Sequence, residues 1–301
     1  MNVYKLSIDD WDEQPLDRDV FEEDTGRRKP WYVNNGIGKA PSYFAVCPGC
    51  DNPIQIIGFY RRSLHTDSPY ARHYGQSIRG LATYRQFAYD NCPYAAPRQY
   101  DASARRPTAD PLGDKILDIL VPNFDRVIWV LEQDTGLKIS SKLAEAMLTD
   151  YRDQQGHLYM GGTLQNVPWT FAFMTLSKSL LGRRVTNDDD MLKAIEKNVP
   201  GAVVDWGVKQ VKWQEGGKFV VLQYCFIHHR ARHEDGSLKE TMKLVVSHGD
   251  RNVDVYRKVI EFDRNRFRNL LDTKPERACR PRREELVGLA ERILGRRGQM
   301  P

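Results

Sequence analysis

The chain has 301 residues, of which 41% are hydrophobic and 10% aromatic, so it can bury a sizeable core. It contains no apolar run of about 18 residues, the length a membrane span needs. Its first 24 residues are acidic, where a signal peptide would be basic and then apolar. These features predict a globular, cytoplasmic protein without a membrane partner.

Charge and cysteine content further limit the possible partners of the protein and the roles of its cysteines. The 45 Lys and Arg residues outnumber the 40 Asp and Glu residues, which gives a formal net charge of +5. Acids concentrate at 9–24, and the stretch from Arg264 onward carries most of the excess arginine. A mildly basic chain is compatible with a nucleic-acid partner. Five cysteines, an odd number, argue against a disulfide framework and leave metal binding or burial.

The first predicted element of the chain is a metal-binding module. Cys47 and Cys50 flank a Pro-Gly pair that favours a tight turn, and Cys92 follows a predicted helix over 78–91. His73 or His65 completes a Cys3His set, and His73 is preferred because it lies just before that helix. We expect a structural zinc ion, because three thiolates and one imidazole leave no open position for catalysis.

Two alternatives to zinc involve the same cysteines. The pair could be free thiols in a turn, or a redox pair of the thioredoxin type, which requires a helix directly after it. The segment 51–62 is short, β-branched and bounded by Asn-Pro, so it is predicted as a strand instead. Over about fifty residues the spacing resembles zinc ribbons and treble clefs, a resemblance that implies a metal-stapled module and no particular activity.

Basic and aromatic residues alternate around the predicted metal ligands. Arginine contacts phosphate and aromatic faces stack on unpaired bases, so this mixture is typical of nucleic-acid binding. Aromatic residues at helical spacing are also common in hydrophobic cores, which leaves a structural role open. The candidate nucleic-acid-binding residues are Arg61, Arg62, Arg72, Arg79, Arg85, Tyr74 and Tyr84.

The middle of the chain is predicted to be helical. A linker over 96–114 is rich in Pro, Ala, Ser and Arg and lacks periodicity. Ser140 or Ser141 caps one of the helices that follow, and Asn187 or Asp188 caps another. The predicted helical segments are 110–122, 123–136, 140–156, 167–182 and 186–201.

After residue 201 the hydrophobic period changes from 3.6 to 2. This change predicts three antiparallel strands over 208–214, 218–229 and 238–248. A long amphipathic helix is predicted over 252–272, with Val253, Tyr256, Val259, Ile260, Phe267 and Leu270 facing inward. A last helix over 282–297 carries apolar residues on one stripe among arginines, and it could dock on its own domain, a protein partner or a phosphate backbone.

The sequence therefore predicts an α+β protein in three parts. These are a zinc-ribbon-like module over 1–95, a helical domain over 110–200 and an antiparallel sheet with basic helices over 201–301. The expected function is non-catalytic binding of DNA or RNA, or an adaptor role. Two alternatives stay open: a divergent metal-dependent nuclease that uses Asp205, and a protein-only scaffold that binds its partner through the C-terminal helix.

Overall fold

The computed structural model describes residues 1–10, 13–60, 68–216, 220–234, 237–249, 251–273 and 282–295. The chain folds into two compact units. Unit 1 contains Met1–Gln99 and Arg230–Lys239, and unit 2 contains Tyr100–His229 and Glu240–Pro301. Helices occur together with antiparallel sheets, so the predicted α+β class is confirmed.

Unit 1 is built around a four-stranded antiparallel sheet. Its elements are β1 (Val3–Tyr4), β2 (Gln14–Pro15), α1 (Arg18–Thr25), β3 (Tyr32–Val33), β4 (Ser42–Val46), β5 (Pro53–Ile57), β6 (Tyr70–His73), α2 (Gln86–Asp90) and β7 (Arg98–Gln99). The sheet has the order β3-β4-β5-β6, and β1 pairs with β2. Within the strand predicted over 51–62, Pro53–Ile57 forms β5, and residues 61 and 62 lie outside the described residues.

Both faces of the four-stranded sheet are covered, because successive side chains of a strand point to opposite faces. Tyr43 and Ala45 lie in one buried cluster together with Phe21 of α1. Phe44 and Val46 lie in another, which includes Leu81 and Ala82. Strand β4 therefore has four consecutive buried residues, and the unit has apolar packing on each side of it.

The helix predicted over 78–91 is much shorter than expected. Only Gln86–Asp90 is helical. Before it, the chain makes a tight turn in which the N–H of Ile78 donates to the carbonyl of Ala82 at 2.9 Å. Gly80 has a φ of +80°, a left-handed conformation that ends any helix. The apolar residues that suggested a helix pack this turn against the sheet.

Unit 2 combines helices and strands around one hydrophobic cluster. Its remaining elements are α3 (Pro111–Leu120), α4 (Phe124–Thr135), α5 (Ser141–Asp153), α6 (Val167–Phe173), β8 (Lys178–Ser179), α7 (Asp189–Asn198), β9 (Ala202–Asp205), β10 (Gln210–Trp213), β11 (Leu222–Glu234), β12 (Ser237–His248), β13 (Val253–Glu261), α8 (Arg264–Asp272) and α9 (Glu284–Leu294). Strands β11 and β12 begin or end in unit 2, and their residues 230–239 belong to unit 1.

The helix caps predicted from the sequence are present. The hydroxyl of Ser140 accepts a hydrogen bond from the Leu143 N–H at 3.3 Å, and a carboxylate oxygen of Asp188 accepts one from the Met191 N–H at 3.0 Å. Such bonds satisfy backbone donors that have no partner within a helix. The predicted helix over 167–182 instead ends at Phe173, and residues 178–179 form β8, which pairs with β11.

The predicted strands are present, but they do not form one meander. Strands β9 and β10 make a separate two-stranded sheet, whereas β11 and β12 are neighbours in a larger sheet. The third strand beside them is β13, which pairs with β12 from Thr241↔Glu261 to His248↔Val253. The helix predicted over 252–272 is therefore wrong for its first half, and only Arg264–Asp272 is helical.

The helices and the sheet of unit 2 share one hydrophobic core. The sequence predicts a helical range over 110–200 and a separate sheet range over 201–301. The cluster includes Ile128 of α4, Leu192 of α7 and Leu244 of β12, each fully buried. Helix α9 contributes Leu286 and Leu289, so its apolar stripe packs within its own unit. No helix in the described part of the chain has the length and apolar composition that a membrane crossing requires.

A buried polar network crosses this core. The carboxylate of Glu240 accepts a hydrogen bond from the side-chain amide of Asn166 at 2.9 Å and lies 3.3 Å from His229 Nε2. The other ring nitrogen of His229 lies 3.0 Å from the hydroxyl of Tyr159. Burial acts to raise the pKa of Glu240, but contacts with His229, Arg264 and Asn166 outweigh it, so the pKa is lowered.

Candidate metal centre

Two cysteine ligands come from the turn between β4 and β5. The backbone N–H of Cys47 donates to the Asn52 carbonyl at 2.9 Å, and the N–H of Asp51 donates to the Cys47 carbonyl at 3.0 Å. Asp51 has a φ of +56°, so the chain reverses within four residues. This geometry directs the sulfurs of Cys47 and Cys50 toward one point, as the Pro-Gly pair between them predicted.

The other two ligands come from β6 and from the residue pair that follows α2. His73 ends β6, opposite Ile54. The N–H of Cys92 donates to the Tyr89 carbonyl at 3.0 Å, which places Cys92 directly after the short helix. The buried side chain of Asn52 binds both the N–H and the carbonyl of Arg85, at 2.7 and 3.0 Å. The cysteine turn thereby fixes the start of α2.

The separations of the four ligand atoms are compatible with a metal site. All four lie within 4.8 Å of one another. The sulfurs of Cys47 and Cys92 are 3.6 Å apart, and the Cys50 sulfur is 3.4 Å from His73 Nε2. Zn–S bonds of about 2.3 Å and Zn–N bonds of about 2.0 Å give ~3.8 Å between two sulfurs and ~3.5 Å between sulfur and nitrogen. The cysteines are free thiols, so no disulfide competes for them.

Burial and hydrogen bonding together make the pKa values of the three thiols unequal in the absence of a cation. Burial raises the pKa of Cys47 and Cys50. Hydrogen bonds from those two thiols lower the pKa of Cys92 to about 4, and the N–H groups of Tyr94 and Ala95 act in the same direction. A divalent cation would favour the thiolate form of all three, because metal binding displaces thiol protons.

Glycine at position 49 is required by the packing around the turn. A Cβ atom there would lie 2.9 Å from the ring of Tyr94 and 3.4 Å from Pro93, both of which follow Cys92. The bare backbone lets this segment close over the cysteine turn. The site is thus covered on the Cys92 side by an aromatic ring, and Cys47 and Cys92 are fully buried.

The set is compatible with a metal site, and its composition determines what a bound ion could do. Three sulfurs and one imidazole fill a tetrahedron, which leaves no position for water or substrate. Within the residues that the structure describes, this is the single group of three or more His, Cys, Asp or Glu side chains close enough to share an ion. His65, the alternative ligand, lies outside the described residues.

The predicted nucleic-acid residues fall into three groups. Arg61 and Arg62 lie outside the described residues. Arg72 is exposed on β6, where its guanidinium donates to the Gln55 side chain at 3.2 Å, and Arg79 is exposed in the turn that packs on the sheet. Arg85 has a structural contact instead, because its guanidinium lies 3.4 Å from the Cys50 carbonyl.

Both predicted tyrosines lie between His73 and Cys92 in the sequence. The ring of Tyr74 is 5.1 Å from that of Phe44, and the ring of Tyr84 is 6.3 Å from that of Tyr89. Tyr89 in turn contacts the His73 ring at 5.0 Å. Both tyrosines are half-buried.

Asp205, the residue on which a nuclease would depend, serves a hairpin turn. One carboxylate oxygen accepts from the N–H groups of Gly207 and Val208, and the other lies 2.6 Å from the Lys212 ammonium. The Lys212 contact lowers the pKa of Asp205. The carboxylate thus connects β9 to β10 and is not part of any acidic group that could hold Mg²⁺ among the described residues.

Comparison of the chain with protein-family models, with curated proteins and with solved structures found no match in any of the three. The functional argument therefore depends on the site itself.

Proposed function

We propose that the protein binds nucleic acid without catalysing a reaction on it, and that unit 1 is a zinc-ribbon-like module held by a structural zinc ion. The metal part of the proposal is supported by the separations and burial of Cys47, Cys50, His73 and Cys92. A closed set of this composition stabilises a small unit and has no role in bond breaking.

The observation that carries the nucleic-acid part is the contrast among the arginines of unit 1. Arg18 forms an ion pair with Asp19 at 2.7 Å, and Arg27 forms one with Glu22 at 2.5 Å. Arg72 and Arg79 are exposed and form no ion pair among the described residues. Exposed guanidinium groups without an acidic neighbour are available to phosphate.

Aromatic side chains near these arginines supply the second element of a nucleic-acid surface. Tyr74 directly follows the ligand His73 in the sequence, and Phe87 of α2 is 45% exposed. Aromatic faces stack on bases whatever their identity. The zinc ion would fix the backbone that presents these groups, because the ligands alternate with them in sequence from Cys47 to Cys92.

The test is equilibrium binding to labelled oligonucleotides measured by fluorescence anisotropy. Single-stranded DNA, duplex DNA and single-stranded RNA are compared at about 50 and about 200 mM salt. We expect binding that weakens steeply with salt. The double variant Arg72→Ala, Arg79→Ala should lower the slope of log K against log salt by about 2, because two phosphate contacts are lost.

A matched control comes from an arginine that is exposed but paired. Arg152 of α5 forms an ion pair with Asp153 at 2.8 Å, so Arg152→Ala should leave the salt slope unchanged. Wild-type protein that binds none of the three nucleic acids at low salt would contradict the proposal and favour a protein-only scaffold.

A further inference from the structure

The loop between β3 and β4 carries an isoleucine that is fully exposed to solvent. Ile37 has a relative exposure of 107%, the highest among the exposed large hydrophobic residues of the described chain. The other residues from Asn34 to Lys39 are exposed as well. Burial of an aliphatic side chain stabilises a fold by about 2 kcal/mol, and Ile37 contributes none of this to the unit.

The loop keeps its shape through its own polar contacts. The side-chain amide of Asn35 donates to the Ala40 carbonyl at 2.7 Å and to the Ser42 hydroxyl at 3.0 Å. Gly36 and Gly38 have φ values of +97° and +75°, so the chain turns sharply on both sides of Ile37. The side chain is therefore presented at the tip of a closed, hydrogen-bonded loop.

The surrounding sequence has a single sign of charge. Residues 25–50 contain Arg27, Arg28, Lys29 and Lys39 and no acidic residue. Arg27 is paired with Glu22 of α1, whereas Arg28, Lys29 and Lys39 are exposed. An apolar tip within a basic, acid-free stretch is complementary to a polyanion that also offers an apolar interior.

We propose that Ile37 inserts between two adjacent base pairs of duplex nucleic acid while Lys39 contacts the phosphate backbone. Proteins that bend duplexes use single apolar side chains as wedges in this way. A membrane fits the loop less well, because stable membrane attachment requires a larger apolar area than one isoleucine. This inference depends on the nucleic-acid binding proposed above and specifies how the partner is bound.

The experiment measures duplex bending by energy transfer between dyes at the two ends of a DNA duplex that contains one central TA step, which kinks easily. Wild-type protein should increase the transfer, as a bend of about 20–90° would. Ile37→Ala should bind about tenfold more weakly and leave the duplex straight. Because Ile37 is fully exposed, the variant is expected to fold as the wild type does.

Val20→Ala provides the matched control, since Val20 is an aliphatic residue of the same unit that is 45% exposed on α1. It should bend the duplex like the wild type. Salt-dependent binding with equal bending by wild type and Ile37→Ala would overturn the wedge and leave the proposed function intact. Absence of nucleic-acid binding, together with Ile37-dependent flotation on phosphatidylserine vesicles, would overturn both in favour of a membrane contact.

Discussion

The sulfur of Cys92 contacts backbone N–H groups as well as the thiols of Cys47 and Cys50. Backbone N–H groups of Tyr94 and Ala95 point at it, and its side chain is fully buried. N–H groups that face a sulfur stabilise its thiolate form. The segment after Cys92 would therefore orient this sulfur if a metal ion is bound.

Replacement of this residue tests the metal site directly. We expect Cys92→Ser to lower the zinc content from about one ion per chain to a small fraction, because three remaining ligands cannot close the tetrahedron. Elemental analysis of untagged protein measures this content. Cys225→Ser is the control, since Cys225 is a free thiol of unit 2 and should leave the zinc content unchanged. Equal loss in both variants would contradict the assignment.

The pair formed by His229 and Glu240 predicts a pH dependence of stability in unit 2. The folded protein holds the pKa of Glu240 below its usual value of 4.5. The stabilisation is therefore present above about pH 4.5 and is lost as the pH falls through the folded-state pKa. Glu240→Gln should cost about 3 kcal/mol at neutral pH and flatten the fall in stability below that pH.

Urea unfolding curves at a series of pH values measure both effects. Glu145→Gln serves as the control, because Glu145 is exposed and its contact with Arg292 is 3.4 Å long. A surface pair of this kind contributes at most about 1 kcal/mol. If Glu240→Gln and Glu145→Gln changed stability equally at every pH, the buried pair would not be the cause of the acid sensitivity.

At the scale of elements, the cysteine turn between β4 and β5 depends on Gly49, because there is no room for a side chain at this position. A methyl group at position 49 would overlap the Tyr94 ring, so either the turn or the segment after Cys92 must move. Gly49→Ala should reduce the free energy of unfolding of unit 1 by about 2 kcal/mol and speed up zinc release to a chromogenic chelator.

Gly75→Ala is the matched control for this prediction. Gly75 lies two residues after His73 in the same unit, and a Cβ atom there would meet nothing within 4 Å. The rate of zinc release from this variant should equal that of the wild type. A similar acceleration in both variants would show that backbone stiffness, and not the Tyr94 contact, controls release.

Comparison of the predicted and observed elements shows what the sequence could and could not predict. The four clustered residues could be predicted because a Cys-x2-Cys turn is a local pattern and His73 and Cys92 flank a short segment. The sequence predicts a helix where β13 forms, because Val253, Tyr256 and Val259 have the spacing of one helix face. Val253 and Val259 are 54% and 58% exposed, and pairing with β12 is what selects the strand.

The short helix α2 shows the same limit in unit 1. Ile78, Leu81 and Ala82 have the spacing of a helix face, yet they pack a turn against β4. Gly80 was the local signal for this turn, and a lone glycine within a helical pattern does not by itself decide between the two. The turn is selected by packing against Phe44 and Val46, which lie more than thirty residues earlier in the sequence.

For the whole molecule, the two units have hydrophobic clusters with no residue in common. The clusters of unit 1 contain residues up to Cys92, and that of unit 2 begins at Leu112. We expect a strong zinc chelator to lower the unfolding temperature of unit 1 and leave that of unit 2 unchanged. Differential scanning calorimetry measures this, with the Cys92→Ser variant as a chelator-insensitive reference. Equal shifts of both transitions would contradict a metal that stabilises one unit.

The assignment of Arg230–Lys239 to unit 1 determines the order in which this unit can be completed during synthesis. The four clustered residues are translated before unit 2, so a bound metal ion would organise the cysteine turn as soon as Cys92 emerges. Strand β7 obtains its partner, residues 230–231 of β11, only after most of unit 2 has been translated. An early metal-held nucleus would therefore have to persist, incomplete, through the synthesis of the helices that follow it.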